Sequence, residues 1–179
     1  MIIGKYNNLK KYLLLFLIFL SLDQFSKIGI RNFFSSNVRN SHNILGDFFR
    51  ITYTRNSGAV FGISIGSGIL NQILFIIISI IAICILIYLF LKDTHPLVNM
   101  GFTLILSGAV GNLIDRIAFG NVTDFLDFDF PDFIIQRWYI FNIADSCIVI
   151  GVIILVIYYL FVEKSVKAEK NSARRKNEV

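Results

Sequence analysis

Seven polar side chains lie within long apolar stretches of this 179-residue sequence. They are Asp23, Lys27, Asn112, Asp115, Arg116, Asn142 and Asp145. Polar groups in such stretches are expensive to bury and usually serve a function. Two aspartates held close together cannot both ionise cheaply and therefore share a proton. The ionised aspartate can then take a proton from water while its partner protonates a carbonyl oxygen, which is the chemistry of amide hydrolysis.

Other catalytic groups fit the sequence less well. Ser26 and Lys27 suggest a Ser–Lys pair, but adjacent helical side chains do not face each other, whereas Asp23 and Lys27 at i,i+4 do. A metal hydrolase needs histidines near its carboxylates, and this region has none. A calcium loop is disfavoured at residues 127–132, which lack the glycine and distal glutamate of an EF-hand. We interpret that acidic run as an exposed loop.

The composition indicates that a membrane positions these groups. Hydrophobic residues make up 55% of the chain and charged residues only 16%, whereas soluble domains carry about 25% charged residues. This excludes a standard soluble enzyme, a disordered tail and a secreted disulfide scaffold. We predict an all-α membrane protein, a single polytopic domain over residues 1–179. Its predicted parts are transmembrane helices at 12–30, 69–91, 97–119 and 140–162, a small extracytoplasmic β-rich segment at 40–65 and a charged tail at 163–179.

The charges at the two ends predict the orientation. Residues 1–11 carry three lysines and no acid, and residues 163–179 carry six Lys/Arg against three Glu. Cytoplasmic flanks of membrane helices are enriched in Lys and Arg, so both termini are predicted to be cytoplasmic. The first segment is predicted to be a retained helix, because residues 21–24 lack the small-residue cleavage site of a signal peptide.

The polar groups on three different helices also share one depth. With a rise of 1.5 Å per residue, they fall roughly 17 to 30 Å from the inner ends of their helices, in the outer half of the bilayer. Six aspartates occur between Asn112 and Asp145. Asp124, just past the third helix, can meet Asp145 at this level. Periodicity alone does not select Asp124 over Asp115 as the partner of Asp145.

Two other functions would use the same residues. A small ion-coupled transporter would need an aqueous path through both leaflets, whereas these polar groups stop at the outer half; a flux assay would detect it. A purely structural membrane subunit would use Asp23–Lys27 and Asp115–Arg116 as ion pairs that only orient helices. In that case, neutralising Asp124 would change nothing beyond stability.

Five sequence blocks, in order, resemble the lipoprotein signal peptidases (signal peptidase II), which are bacterial four-helix intramembrane aspartic peptidases. The blocks are Asp23–Lys27, Asn56–Phe61, Gly108–Arg116, Val122–Phe125 and Phe141–Ser146. The resemblance implies that Asp124 and Asp145 form the catalytic dyad. The residues that it implies line the site are Asn112, Arg116 and Asn142. The residues that it implies support the site are Asp23, Lys27, Asn56, Gly58, Gly108, Asp115 and Ala144.

The resemblance also implies a substrate and a place of action. The substrate would be a prolipoprotein whose cysteine carries diacylglycerol, cut just before that cysteine at the outer face of the membrane. The implied location is the bacterial cytoplasmic (inner) membrane, with membrane lipid around the chain and the active site near the outer surface. We expect a monomer that needs no metal or other cofactor and binds no nucleic acid.

Overall fold

Four helices make up most of the described chain. The computed structural model describes residues 2–35, 40–57, 68–92, 95–129 and 139–165, without the side chains of residues 2–8. The helices are α1 (Ile2–Ser35), α2 (Gly68–Lys92), α3 (Pro96–Phe119) and α4 (Ile143–Ile157), which continues into a π-helical turn, Tyr158–Val162. Within those ranges, four helical stretches are long and apolar enough to cross a membrane. The predicted all-α membrane fold is confirmed.

The helices expose apolar side chains on their outer surfaces. No residue of α2 is buried, and its isoleucines and leucines point outward, with Ile69 70% exposed. Keeping such surface in water would cost roughly 25 cal/mol per Å². A bilayer removes that cost, which explains why α2 is apolar on all sides instead of along one face.

The central helix is α3, which packs against α1, α2 and α4. Glycines permit its close crossing with α4. A Cβ atom on Gly108 would collide with the carbonyl oxygen of Ala144, and a Cβ atom on Gly151 would lie 2.7 Å from the carbonyl oxygen of Gly101. Gly108 and Gly151 therefore permit a close helix approach, because small residues let two backbones meet in a membrane.

A three-stranded antiparallel sheet joins the ends of the helices. Its strands are β1 (Ser41–Leu45), β2 (Phe49–Asn56) and β3 (Val122–Phe128), in the order β1-β2-β3. The β1–β2 hairpin turns through Gly46, which has a φ of +53°, a value that favours glycine. The hairpin confirms the small sheet predicted in the 40–65 segment, of which residues 58–65 lie outside the described residues. The third strand was not predicted.

The acidic run after α3 differs from the exposed loop that the sequence suggested. Asp127 is fully buried in β3, where its carboxylate accepts a hydrogen bond of 2.6 Å from Thr52 Oγ1. Arg50 Nη2 donates to Asp129 at 2.7 Å, and its Nε lies 3.8 Å from the Asp127 carboxylate. The interpretation of Asp127 as a loop residue was wrong, because its partners lie on β2, far away in sequence. Asp132 lies outside the described residues.

The bounds of the first and fourth helices also differ from those predicted, and α1 begins at Ile2 instead of residue 12. α1 continues past residue 30 because Arg31 is ion-paired with Asp115, and because buried Phe34 stacks on Tyr53 with ring centroids 6.1 Å apart. α4 begins at Ile143, not at residue 140, because Asn142 is its N-cap. In both cases a contact with a polar or aromatic partner overrides what hydropathy alone predicts.

Candidate active site

Asp145 lies in the first turn of α4, opposite the cap residue Asn142. The Asn142 Oδ1 atom accepts a hydrogen bond from the Asp145 backbone N–H at 2.9 Å, and Asp145 Oδ2 accepts one from the Asn142 backbone N–H at 3.2 Å. This is a capping box, which satisfies two N–H groups that the helix leaves free. The Asp145 carboxylate therefore lies at the positive end of the α4 dipole, which stabilises an anion.

Asp124 lies on β3 and is buried next to Asp145. Its Oδ1 accepts a 2.7 Å hydrogen bond from Asn142 Nδ2, and its Oδ2 accepts a 3.0 Å hydrogen bond from Asn56 Nδ2. Burial, followed by the nearby charge of Asp145, raises the pKa of Asp124 to about 6, although the two amide donors and Lys27 oppose this shift. Asn142 thus contacts both carboxylates, one with its side chain and one with its backbone.

The Asn112 side chain connects Asp145 to a buried cation. Its Nδ2 donates to Asp145 Oδ1 at 2.8 Å, while its Oδ1 accepts from Lys27 Nζ at 2.9 Å and from Asn142 Nδ2 at 3.2 Å. Because an ammonium group can only donate, the Asn112 oxygen must face Lys27 and its NH₂ group must face the carboxylate. The lysine therefore determines the orientation of this amide.

An ionic cluster of two cations and two anions, all buried except the half-buried Arg31, lies next to Asn112. Lys27 is fully buried, with Nζ 2.9 Å from Asp23 Oδ2 and 3.6 Å from Asp115 Oδ2. Arg31 Nη1 lies 3.2 Å from Asp115 Oδ1. Lys27 therefore pairs with Asp23, as the i,i+4 spacing predicted. Among the described residues Asp115 pairs with Lys27 and Arg31, and the Asp115–Arg116 pair considered from the sequence is absent.

The structure thus shows different surroundings for Asp115 and Asp124, the two aspartates between which periodicity did not choose. Asp115 is engaged by cations and also accepts a 2.9 Å hydrogen bond from the Thr123 backbone N–H, which anchors the start of β3. Asp124, the next residue, forms no ion pair with any residue in the described ranges. It is Asp124, and not Asp115, that shares Asn142 with Asp145.

Asp23 links α1 to the start of α4. Its Oδ1 accepts a hydrogen bond of 2.9 Å from the Ala144 backbone N–H, so the buried α1 cluster holds the end of the helix that carries Asp145. The Ser26 hydroxyl donates to the Asp23 carbonyl oxygen at 2.7 Å and not to Lys27, in agreement with the rejection of a Ser–Lys pair. Gly58, the remaining residue implied by the resemblance, lies outside the described residues.

Gly111 leaves room for the Asp23 carboxylate, because a Cβ atom there would lie 2.5 Å from Asp23 Oδ2. We expect Gly111→Ala to displace that carboxylate, weaken its contacts with Lys27 and Ala144, and lower the activity of the site at least about tenfold. The matched control is Gly29→Ala, where a Cβ atom meets nothing within 4 Å. Activity and thermal unfolding of both variants test this, and equal activity in the two variants would contradict it.

Arg116 approaches the two aspartates from α3. It is half-buried and is attracted by Asp145 and Asp124, with its guanidinium carbon 5.6 Å from the Phe75 ring centroid. Gln72 Nε2 donates to the Arg116 carbonyl oxygen at 3.1 Å, so α2 holds both ends of this residue. Sequence reasoning missed Gln72 and Phe75, for which no spacing signal exists.

Arg31 was also missed, although a signal for it was present. It follows Lys27 by four residues and so continues the polar face of Asp23 and Lys27. The predicted helix ended at residue 30, which excluded it. The described residues contain no group of three or more His, Cys, Asp or Glu side chains that could hold a metal ion.

Comparison with known proteins identifies the family. The family model described as "Signal peptidase (SPase) II" matches residues 15–161. The chain belongs to this peptidase family. One similar curated protein is the lipoprotein signal peptidase of Moorella thermoacetica, which is 43% identical over 80% of this chain and 89% of that protein. Another is the lipoprotein signal peptidase of Clostridioides difficile, which is 40% identical over 85% of this chain and 96% of that protein.

A solved structure supports the same assignment. It is described as "Bacterial membrane enzyme structure by the in meso method at 1.9 A resolution" and is 34% identical to this chain. The likeness covers 86% of this chain and 94% of that one, with a TM-score of 0.70. Together with the four apolar helices, these relatives identify a multi-pass bacterial membrane protein. Membership of a peptidase family favours an enzyme over the transporter and the structural subunit.

Proposed function

We propose that this protein is an aspartyl endopeptidase that removes the signal peptide from diacylglyceryl-modified prolipoproteins. It cleaves just before the lipidated cysteine. The observation that carries the proposal is the pair formed by buried Asp124 and half-buried Asp145, both bound by Asn142, with no cation paired to Asp124 among the described residues. The names of the curated relatives support a lipoprotein precursor as substrate.

The mechanism assigns different tasks to the two aspartates. Asp124 holds the shared proton, since its pKa is raised to about 6, and donates it to the oxygen of the scissile carbonyl. Asp145, bound by Asn112 Nδ2 and by the Asn142 N–H, takes a proton from the attacking water. The water oxygen bonds to the carbonyl carbon and gives a tetrahedral intermediate. The C–N bond then breaks as Asp145 gives its proton to the amine nitrogen, while Asp124 takes a proton back from a hydroxyl group of the intermediate, which becomes the carboxylic acid product. Arg116 and Asn56 position substrate or dyad.

The proposed location of the reaction is supported by the charges at the two termini and by the depth of the polar groups along their helices. We propose that both Lys-rich termini are cytoplasmic and that the dyad lies near the outer surface of the cytoplasmic membrane, where the scissile bond of a membrane-inserted signal peptide would be. The chain is proposed to act as a monomer, since the described residues from a single chain supply both carboxylates and their amide partners.

The substrate is tested with two matched prolipoproteins that differ only in the diacylglyceryl group. We expect the purified protein in detergent or liposomes to cut the modified form before the cysteine and to leave the unmodified form at least about tenfold less cleaved, because remote binding energy is used at the reacting centre. Mass spectrometry of the products gives the cleaved bond. Equal cleavage of both forms, or cleavage elsewhere, would refute the proposed specificity.

The raised pKa of Asp124 predicts the pH dependence of the reaction. The dyad needs one proton, and Asp124 loses it as the pH rises through about 6. We expect kcat/KM, which reports the groups of the free enzyme, to fall about tenfold per pH unit well above that value. Activity that stays constant up to pH 9 would show that the shared proton is not held on Asp124.

Asn56 provides a directional check of this assignment. Its hydrogen bond lowers the pKa of Asp124, so Asn56→Ala should move the falling limb of the profile to higher pH. Asn32→Ala, an exposed asparagine on α1, serves as the control and should leave the profile unchanged. A shift to lower pH in Asn56→Ala would contradict the role given to that hydrogen bond.

A further inference from the structure

A small polar cavity lies where α1 and α3 meet the sheet, apart from the two aspartates. Its volume is about 140 Å³. It is lined by Arg31, Tyr53, Arg55, Phe119, Asn121 and Thr123. Successive side chains of a strand point to opposite faces, so Thr123 faces this cavity and Asp124 faces the other way, towards Asn142. The proposed peptidase mechanism uses neither Tyr53 nor Arg55.

The cavity is rich in hydrogen-bond donors without partners. Arg31 Nη1 donates hydrogen bonds to the Asp115 carboxylate and, at 3.0 Å, to Thr123 Oγ1. The other N–H groups of Arg31 form no hydrogen bond with a residue in the described ranges. Arg55 Nε donates to the Tyr53 hydroxyl at 2.9 Å. The Tyr53 oxygen is therefore an acceptor in that bond, which leaves its own proton available to donate.

The charges around the cavity do not cancel. Lys27 and Asp23 balance each other, as do Arg31 and Asp115. Arg55 has no acidic partner among the residues that the structure describes. The cavity therefore carries an excess positive charge together with two guanidinium groups, whose planar donor pairs match the oxygens of phosphate.

We propose that this cavity binds the phosphate group of a membrane phospholipid. It lies at the ends of α1 and α3, both long and apolar enough to cross a membrane. Phe119 lines the cavity and is exposed, and the exposed apolar side chains Phe33 and Ile117 lie two residues along the helices from Arg31 and Phe119. These side chains suit acyl chains while the arginines lie at headgroup level. The diacylglyceryl group of the proposed substrate carries no phosphate, so this lipid is distinct from the substrate.

A bound headgroup would also stabilise the packing of the sheet on the helices. Arg31 Nη1 already bridges Asp115 on α3 and Thr123 on β3. The Arg31 guanidinium carbon lies 4.2 Å from the Phe119 ring centroid, which holds it at the cavity wall. A phosphate would accept hydrogen bonds from the remaining Arg31 N–H groups and from Arg55. Because Arg31 lies on α1 and Arg55 on β2, the phosphate would connect β2 to α1.

Native mass spectrometry of the full chain in detergent, titrated with dioleoylphosphatidylglycerol, tests the proposal. We expect one tightly held lipid per chain, bound about tenfold more weakly by Arg55→Gln, the effect of losing one charge-assisted hydrogen bond. Dioleoylglycerol, which has the same tails but no phosphate, should bind both proteins equally and weakly. The matched control is Lys92→Gln, which removes an exposed cation at the far end of α2 and should leave binding unchanged.

A second variant keeps the test decisive if Arg55→Gln is unstable. Asn121→Asp places an acid in the cavity and should weaken phosphatidylglycerol binding at least as much. If Arg55→Gln and Lys92→Gln weakened phosphatidylglycerol binding equally, the lipid would be attracted only by the overall charge of the protein, and the proposal of a specific site would be overturned. Inorganic phosphate that binds as tightly as the lipid, with the same loss in Arg55→Gln, would overturn the lipid as its source.

Discussion

Replacing either Asp124 or Asp145 by asparagine is expected to abolish cleavage of lipidated prolipoprotein. General acid–base catalysis contributes about 10² to 10⁴-fold, and each of these variants removes one of the two groups that move protons. Because the two carboxylates act as a unit, the double variant should be no slower than either single variant. Single-turnover cleavage of a fluorescent diacylglyceryl-modified peptide, in detergent, measures all three rates.

Asp129→Asn is the matched control for these substitutions. Asp129 lies directly after β3 and pairs with Arg50 at 2.7 Å, away from the dyad. The same chemical change there should lower activity only a few-fold, within the range of an exposed ion pair. Substantial cleavage by a folded Asp124→Asn or Asp145→Asn protein would remove the dyad assignment, and multiplicative losses in the double variant would show that the two residues act independently.

Replacing Lys27 by methionine is expected to destabilise the protein more than any surface change. The ammonium group is fully buried, 2.9 Å from Asp23 and 3.6 Å from Asp115. Removing one partner of a buried ion pair leaves an uncompensated charge and costs about 3–5 kcal/mol. Asn112 would also lose the cation that orients its amide. We therefore expect a lower unfolding temperature in detergent and a loss of activity at temperatures where the variant is still folded.

A double variant separates charge from packing. In Lys27→Met/Asp23→Asn both partners are neutral, and the asparagine oxygen can still accept from the Ala144 N–H. This protein should be more stable than Lys27→Met alone, with a coupling energy that a double-mutant cycle measures. Lys11→Met, an exposed lysine on the same helix, should unfold like the unmodified protein. Strict additivity in the cycle would mean that the ion pair does not hold the cluster together.

Helical spacing predicted a large part of the contacts within the site. The Asp23–Lys27 pair was expected from i,i+4 spacing and is present at 2.9 Å. Asn142 and Asp145, three residues apart, form the reciprocal cap of α4. Such contacts follow from local geometry, because the rise and turn of a helix are the same in any protein.

Contacts that involve the sheet could not be predicted in this way. Asp127 was interpreted as a loop residue, yet it is buried against Thr52, 75 positions earlier in the chain. Asp124 meets Asn56, 68 positions earlier, through the pairing of β2 with β3. The register of a strand depends on its partner, and no periodicity within 122–128 encodes that partner.

The sequence by itself determined the membrane class and the four apolar helices and predicted a carboxylate chemistry, because hydropathy and helix spacing are local properties of the chain. Only the tertiary structure decided which aspartate stands beside Asp145. Asp115 is ion-paired with Lys27 and Arg31, whereas Asp124 accepts hydrogen bonds from the Asn56 and Asn142 amides and has no ion pair among the described residues. The physical reason is that the state of a carboxyl group depends on the charges and donors around it, and here these come from helices and strands far apart in the sequence.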